Sequence, residues 1–341
     1  MPGRRDRRGA IRAWGNWTVV KLDALGRYLP AFTTASKRAG LTLYLDLFSG
    51  STENTHRDTG EVLTGSAARA LAASPPFDRL VLSELDPTKA NRLRDYVATH
   101  HPDRDVVVLN GDCNHVIPTY LHSLIRGDVR WRRAAVFAFV DQYSADVTWS
   151  TLRSLASFRL GTRKTELWLY FGDSFIPRGL ATGEEYARRV DAMFGSTRWR
   201  PIYEEGRSTG ALEGSEAQKE LVNLMRWRLE KDLGYARTIP LRVTRSSGHG
   251  LYTMIFATDH PIGEKIMTQV LGVAENELHE LQRRQKHARR LAKRDAEAGG
   301  GGFDLLADWA GGANADGADP APLLLLDEPH PPWGSEEDSG R

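Results

Sequence analysis

The stretch Leu41–Thr52, LTLYLDLFSGST, decides how the rest of the chain is read. Leu41, Leu43, Tyr44, Leu45, Leu47 and Phe48 form a nearly continuous apolar run that ends in a small-residue turn. Such a run predicts a strand buried on both faces of a parallel sheet. Asp46 interrupts it just before the turn. Ser49-Gly50-Ser51 then lets the backbone approach whatever sits at the strand's carboxyl end. In open α/β sheets that crevice is where ligands bind. A core strand closing in an ordinary turn would look the same on this stretch alone, so the neighbouring segments decide.

Working outward, Leu80–Pro87 (LVLSELDP) reads as a second buried strand with Glu84 and Asp86 at its end. Glu84 is placed to accept two hydrogen bonds from a ribose diol. Asp86, before Pro87, reads as the cap of the next helix. A third strand, Asp105–Leu109, ends in Asn110-Gly111-Asp112-Cys113-Asn114. Asp112 either accepts from an adenine amino group or caps a helix starting near Asn114. Cys113 reads as a small buried apolar residue rather than a nucleophile. Ala134–Val140 is the fourth and most apolar strand, and it runs into Asp141-Gln142-Tyr143-Ser144. A carboxylate at the tip of a central strand is a candidate acid, base or amino-group acceptor. Thr165–Phe171 is the fifth strand. Strands alternating with helices imply right-handed crossovers and a parallel sheet covered on both faces. Acidic residues or small turns close four strands at the same relative position, which points to a nucleotide-shaped ligand.

The flanks are read from composition and spacing. The 341 residues carry 46 basic and 44 acidic side chains, so global charge does not argue for nucleic acid. A single cysteine excludes an internal disulfide and a cysteine-based zinc site, and no metal-ligand set is read. No apolar run is long enough to span a membrane. The basic N-terminus lacks an apolar signal core, so a cytoplasmic protein is expected. Residues 1–15 read as a disordered basic arm and residues 16–175 as a Rossmann-like nucleotide-binding core. Leu22, Leu25, Leu29 and Phe32 recur at helical spacing, with Pro30 expected to kink or end that helix. The polar segment after Thr52 reads as a long mobile surface loop exposing His56, Arg57 and Asp58, with substrate contact by these three as the alternative. Residues 176–236 read as a helical insertion, whose Arg226 and Arg228 around Trp227 line a polyanion groove or, as is more common, sit on a solvated face. Residues 237–272 read as a hairpin and helix completing the core, with His249 exposed at the hairpin tip. Residues 273–296 read as a separate charged helix that binds phosphates or projects into water. Residues 297–341 read as a disordered tail, within which Leu323–Leu326 and Trp333 could form a short docking motif.

These motifs in this order resemble one family. Trp17-Thr18 with Lys21-Leu22, YLDLFSG, GSAARAL, the Glu84 strand, GDCN, VDQYSADVTW and LYTMIFATDHPIGEKIM are similar to the three-Cys-motif partner family (TcmP), over about residues 16 to 270. That family is named for a neighbouring protein bearing three cysteines, so the resemblance implies that protein as a partner. It also implies a class I methyltransferase fold using S-adenosyl-L-methionine (SAM), with nucleic acid as a candidate substrate. Asp46, Phe48, Ser49, Gly50 and Ser51 would then form the SAM loop, Glu84 would hold the ribose, and Asp112 would read the adenine. Asp141, with Tyr143, would stand where amino-methyltransferases carry the first acid of an Asp-Pro-Pro-Tyr type motif. Two positions depart from the family pattern. Thr52 replaces a second loop glycine, and Gln142-Tyr143-Ser144 replaces Pro-Tyr-Gly. Both weigh against catalysis more than against the fold. They leave open a non-catalytic interaction partner, or a nucleic-acid-binding component, as alternatives.

Overall fold

Apolar runs of five or six residues become central strands here because both of their faces are covered. The computed structural model describes residues 13–14, 16–56, 60–174, 176, 183–244, 250–298 and 327–334. In chain order these form β1 (Ala13–Trp14), α1 (Asn16–Ala35), β2 (Thr42–Asp46), β3 (Glu53–His56), β4 (Val62–Thr64), α2 (Ser66–Leu71), β5 (Arg79–Glu84) and α3 (Pro87–His100). Next come β6 (Val106–Asn110), α4 (Cys113–Gly127), β7 (Ala135–Val140), α5 (Trp149–Ala156) and β8 (Glu166–Phe171). Then follow α6 (Glu184–Phe194), α7 (Trp199–Ser208), α8 (Gly214–Lys231), β9 (Arg237–Thr244), β10 (Gly250–Thr258) and α9 (Pro261–Ala298).

Seven strands make one sheet in the order β6-β5-β2-β7-β8-β10-β9. The first five run parallel, and β10 lies antiparallel between β8 and β9. The chain order reverses between β2 and β7, where Asp46 stands opposite Phe139. This is a Rossmann-like class I methyltransferase fold, with a late antiparallel hairpin and a helical insertion before it.

Side chains alternate across each strand, so every central strand feeds two cores. On one face Tyr44, Phe137, Phe139 and Trp168 pack with Leu25, Tyr28 and Leu29 of α1 and Met267 and Leu271 of α9. On the other, Leu43, Val136, Ala138 and Leu167 meet helices α4, α5, α6 and α8. Each such side chain, fully buried, contributes about 2 kcal/mol, and that sum holds the strand tips in register.

Several expectations need correction. The arm read as 1–15 includes a short strand, since Ala13 and Trp14 pair in parallel with Thr55 and His56; residues 1–12 and 15 lie outside the described residues. The long polar loop contains an antiparallel β3–β4 pair, and His56 is buried rather than exposed. Arg57 and Asp58 lie outside the described residues. Pro30 does not end α1, which continues to Ala35, because packing against α2 and α9 outweighs the local penalty of about 3 kcal/mol. The charged helix is not separate. Met267, Val270, Leu271, Ala274 and Leu278 are all buried, and this stripe at helical spacing carries α9 across the expected boundary.

Arg226 and Arg228 are buried, not solvated. Arg226 donates to the Thr238 hydroxyl at 3.1 Å. Arg228 lies over the Trp149 ring at 4.3 Å and donates to the Phe194 carbonyl. Arg226 also donates to the Thr238 and Asp327 carbonyls, and Arg228 pairs with the Asp232 carboxylate at 2.7 Å, so both guanidinium groups are buried with their donors satisfied. The tail read as 297–341 contains a docked stretch, residues 327–334, with Pro329 and Pro332 buried. His249 and Leu323–Leu326 lie outside the described residues.

Candidate functional site

At the switch point the strand ends supply the site. Leu47 donates its N–H to the Phe139 carbonyl at 3.0 Å, and Ser49 donates to Ser83 at 2.9 Å. These two bonds tie the turn after β2 to both neighbouring strands. Gly50 has φ +62°, a region that favours glycine. Gly65, at the start of α2, comes so close that a Cβ there would lie 2.3 Å from the Ser51 carbonyl oxygen. The turn is therefore clamped between the sheet and α2.

Beside it lies a cleft of about 460 Å³, a size suited to a small-molecule ligand. Its walls come from the ends of four of the five parallel strands. Leu47 and Phe48 follow β2, Glu84 and Leu85 close β5, and Gly111, Asp112 and Cys113 follow β6. Tyr143 and the stretch from Ala145 to Thr148 follow β7, and Arg189 and Ala192 of α6 complete the wall. Four of the residues read from sequence thus share one cavity: Phe48, Glu84, Asp112 and Tyr143. Ser49, Gly50 and Ser51 sit in the adjoining turn and are not among the lining residues, and neither is Thr52.

Glu84 accepts the Asp86 N–H through Oε1 at 2.8 Å, which fixes its side chain at the strand end. Asp86 caps α3 through bonds from Thr88 and Lys89 N–H, as its position before Pro87 predicts. Asp112 caps α4, accepting the Asn114 N–H at 2.9 Å, and Asn114 Nδ2 donates to the same Oδ1 at 3.0 Å. Capping and cleft-lining are therefore combined in one residue. Cys113 forms part of the cleft, and burial pushes its thiol up to about 12, so it is a poor nucleophile near neutral pH.

Asp46 does not line the cleft. It is fully buried beneath it, accepting from the Phe48 N–H and the Tyr44 hydroxyl, both at 3.2 Å. Burial raises its carboxyl to about 7; the hydrogen bonds, including one from Ser66, pull it back down, and the charge of Asp141 adds to the rise. Asp46 thus serves as a protonatable brace under the loop.

Asp141 is the largest departure from a simple substrate acceptor. Lys21 of α1, 120 residues away, donates to both of its oxygens, at 2.7 and 2.6 Å. The lysine side chain is 8% exposed and the aspartate 23%. The ammonium also lies 5.6 Å from the Tyr170 ring centroid and 5.8 Å from that of Tyr252. A cation in this place occupies the acceptor positions that a target amine would use.

Gln142 explains how the segment after β7 does without the proline. It is buried, donates to the Tyr170 carbonyl at 3.0 Å, and accepts the Asp146 and Val147 N–H groups at 2.7 and 2.8 Å. Side-chain hydrogen bonds supply the rigidity that a ring would have given. Sequence reasoning missed this, and it missed Asp146 and Arg189, which pair across the cleft wall from segments 43 residues apart. It also missed Asn114 as a hub. Asn114 Oδ1 accepts from Thr148 N–H at 2.8 Å and from the Thr151 hydroxyl at 2.8 Å, while Nδ2 also donates to the Asp146 carbonyl at 2.8 Å. Asn114→Ala should cost about 2 kcal/mol through these lost partners. Urea unfolding measures it, and an unchanged midpoint would contradict the hub role.

No protein-family profile matches the sequence, and no curated protein matches it. Among solved structures, a Legionella pneumophila protein of the DUF519 family is similar at 14% identity and a TM-score of 0.46, over 78% of this chain and 94% of that one. M. jannaschii TYW2, solved in complex with AdoMet, is similar at 11% identity and a TM-score of 0.31, over 67% of this chain and 75% of that one. A candidate O-methyltransferase from Klebsiella pneumoniae is similar at 11% identity and a TM-score of 0.34, over 71% of this chain and 90% of that one. Likenesses this distant assign no residue a role. Among the described residues, no helix is long and apolar enough to cross a membrane.

Proposed function

We propose that the chain is a SAM-dependent methyltransferase acting on an amine, with nucleic acid as the substrate class. The observation that carries this reading is the cleft at the switch point, where carboxylates from the ends of two adjacent parallel strands, Glu84 and Asp112, face one apolar-walled cavity. That donor set fits the cofactor: Glu84 suits a ribose diol, Asp112 suits an adenine amino group, and Leu47, Phe48, Leu85 and Val147 suit a flat apolar surface. SAM would supply a sulfonium methyl group that is already electrophilic, so the protein needs positioning more than acid–base chemistry. Phe48 and Leu47 exclude water from one side. Tyr143, 69% exposed at the mouth, offers a ring face on which a planar base can stack. Asp141 accepts the hydrogen bonds of the target amine once Lys21 has turned away.

The Lys21–Asp141 pair also favours a second reading, in which the fold is kept as the non-catalytic partner of a three-Cys-motif protein. Calorimetric titration with SAM separates the two. Micromolar binding is expected for the intact protein, weakened at least ten-fold, or about 1.4 kcal/mol, by Glu84→Ala. Absence of binding by a protein that unfolds cooperatively would remove the enzyme reading and leave the partner reading standing.

A further inference from the structure

Helix α8 carries polar side chains in a place where a helix face would ordinarily be apolar. Glu220, Asn223 and Arg226 are 9%, 7% and 3% exposed, and they follow one another at i, i+3 and i+6 along one face. Against all three lies the docked segment Asp327–Gly334, sequence DEPHPPWG. Asn223 closes a two-bond pair with the main chain of His330: Nδ2 donates to its carbonyl at 3.0 Å, and Oδ1 accepts its N–H at 3.0 Å. Glu220 Oε1 accepts the Trp333 N–H at 2.9 Å. It also accepts from Asn223 Nδ2 at 3.0 Å, which orients both side chains. Arg226 donates to the Asp327 carbonyl.

The contacts have the grammar of peptide recognition. The helix reads main-chain groups at residues 333, 330 and 327, one for each three-residue step. A polyproline II segment presents every third residue on the same edge, and Pro329, Pro331 and Pro332 hold φ near the value that conformation needs. A proline-stiffened segment surrenders little entropy on docking. Trp333 supplies the apolar anchor, packed on the core that α8 shares with the sheet. Without an occupant, Glu220 and Asn223 would lose every main-chain partner and keep only each other, while Arg226 would keep Thr238 but lose the Asp327 carbonyl, a cost an ordinary helix face does not carry.

We propose that this groove is a peptide-binding site for an extended, proline-rich segment anchored by a tryptophan, and that residues 327–334 are its detachable ligand, held in cis. The site does not depend on the methyltransferase reading. A ligand tethered in cis competes at a high effective concentration, so the groove takes the same peptide in trans only when the tethered copy is weakened.

The test uses the full-length chain carrying Pro332→Ala and Trp333→Ala, with a fluorescently labelled synthetic peptide of residues 327–334 followed by anisotropy. The peptide should bind this variant with a Kd of roughly tens of micromolar and bind the wild-type chain at least ten-fold more weakly. Adding Asn223→Ala should abolish binding, and a scrambled peptide should not bind. No binding at about 1 mM to a variant that unfolds cooperatively, or equal binding to variant and wild type, would overturn the proposal. Hydrogen exchange on the wild-type chain covers the case of a variant that does not fold. The His330 and Trp333 amides should open at a free energy well below that of the β7 amides, and equal protection would show that the segment is a fixed part of the core.

Discussion

Asp141→Ala should lower the free energy of unfolding by about 3 kcal/mol, whereas Lys21→Met should cost about 1 kcal/mol. The asymmetry follows from where the two groups sit. Lys21 is the more buried partner, 8% exposed against 23% for Asp141. Removing the aspartate strands an ammonium among side chains, and stranding a buried charge is costly. The Tyr170 and Tyr252 rings, each within 6 Å of the ammonium, return part of that cost, which holds the estimate at the low end of the usual range. Removing the lysine instead leaves a partly hydrated carboxylate, and methionine fills the space between the rings. The double variant should therefore be more stable than Asp141→Ala alone. A double-mutant cycle in urea reads this coupling directly. If the two single effects simply add, the ion pair is not holding α1 to the tip of β7. Neither residue lines the cleft, so SAM affinity should stay within a few-fold of wild type in both single variants.

The sheet was legible because its strands are buried on both faces. β2, β7 and β8 are buried at every position, and a run of that kind needs no partner to be recognised. The acidic strand ends were legible for the same reason, since a carboxylate stands out against such a run. What the sequence could not show are the partners brought in from far away. Lys21 meets Asp141 across 120 residues, Arg189 meets Asp146 across 43, and Asn223 meets His330 across 107. No local period records such a meeting. Arg226 and Arg228 misled for a related reason: arginine on a helix reads as solvated until the groups that take its donors are seen, and those groups lie on the tail, on β9 and at the end of α6. Gln142 looked like a lost proline because a deletion of rigidity is visible in sequence, while its replacement by three hydrogen bonds is not.

Stability should fall as pH rises through the range from about 4.5 to 7, and Glu166→Gln should remove part of that fall. Glu166 opens β8 in full burial. Tyr28 and Thr258 hydroxyls donate to it at 2.5 and 2.8 Å. Burial nonetheless dominates and raises its carboxyl from 4.5 to about 7. The native state therefore keeps the proton longer than the unfolded chain does. Below pH 4.5 both states are protonated and the site carries no penalty. Between that pH and about 7 the unfolded chain releases its proton first, and stability drops. Above about 7 the whole penalty is present, about 3 kcal/mol at 1.36 kcal/mol per pH unit. Glutamine keeps the size and can still accept from Tyr28, so the variant should exceed wild type by up to about 3 kcal/mol near pH 8.5 and show no gain near pH 4.5. Asp46 and Asp173, each raised from 3.8 to about 7 chiefly by burial, act in the same direction. The Gln variant should accordingly keep a residual decline of its own. Urea unfolding of both proteins at the two pH values decides the matter. A difference between them that is the same at both would show that Glu166 is already ionised in the folded protein, with its two hydroxyl donors outweighing its burial.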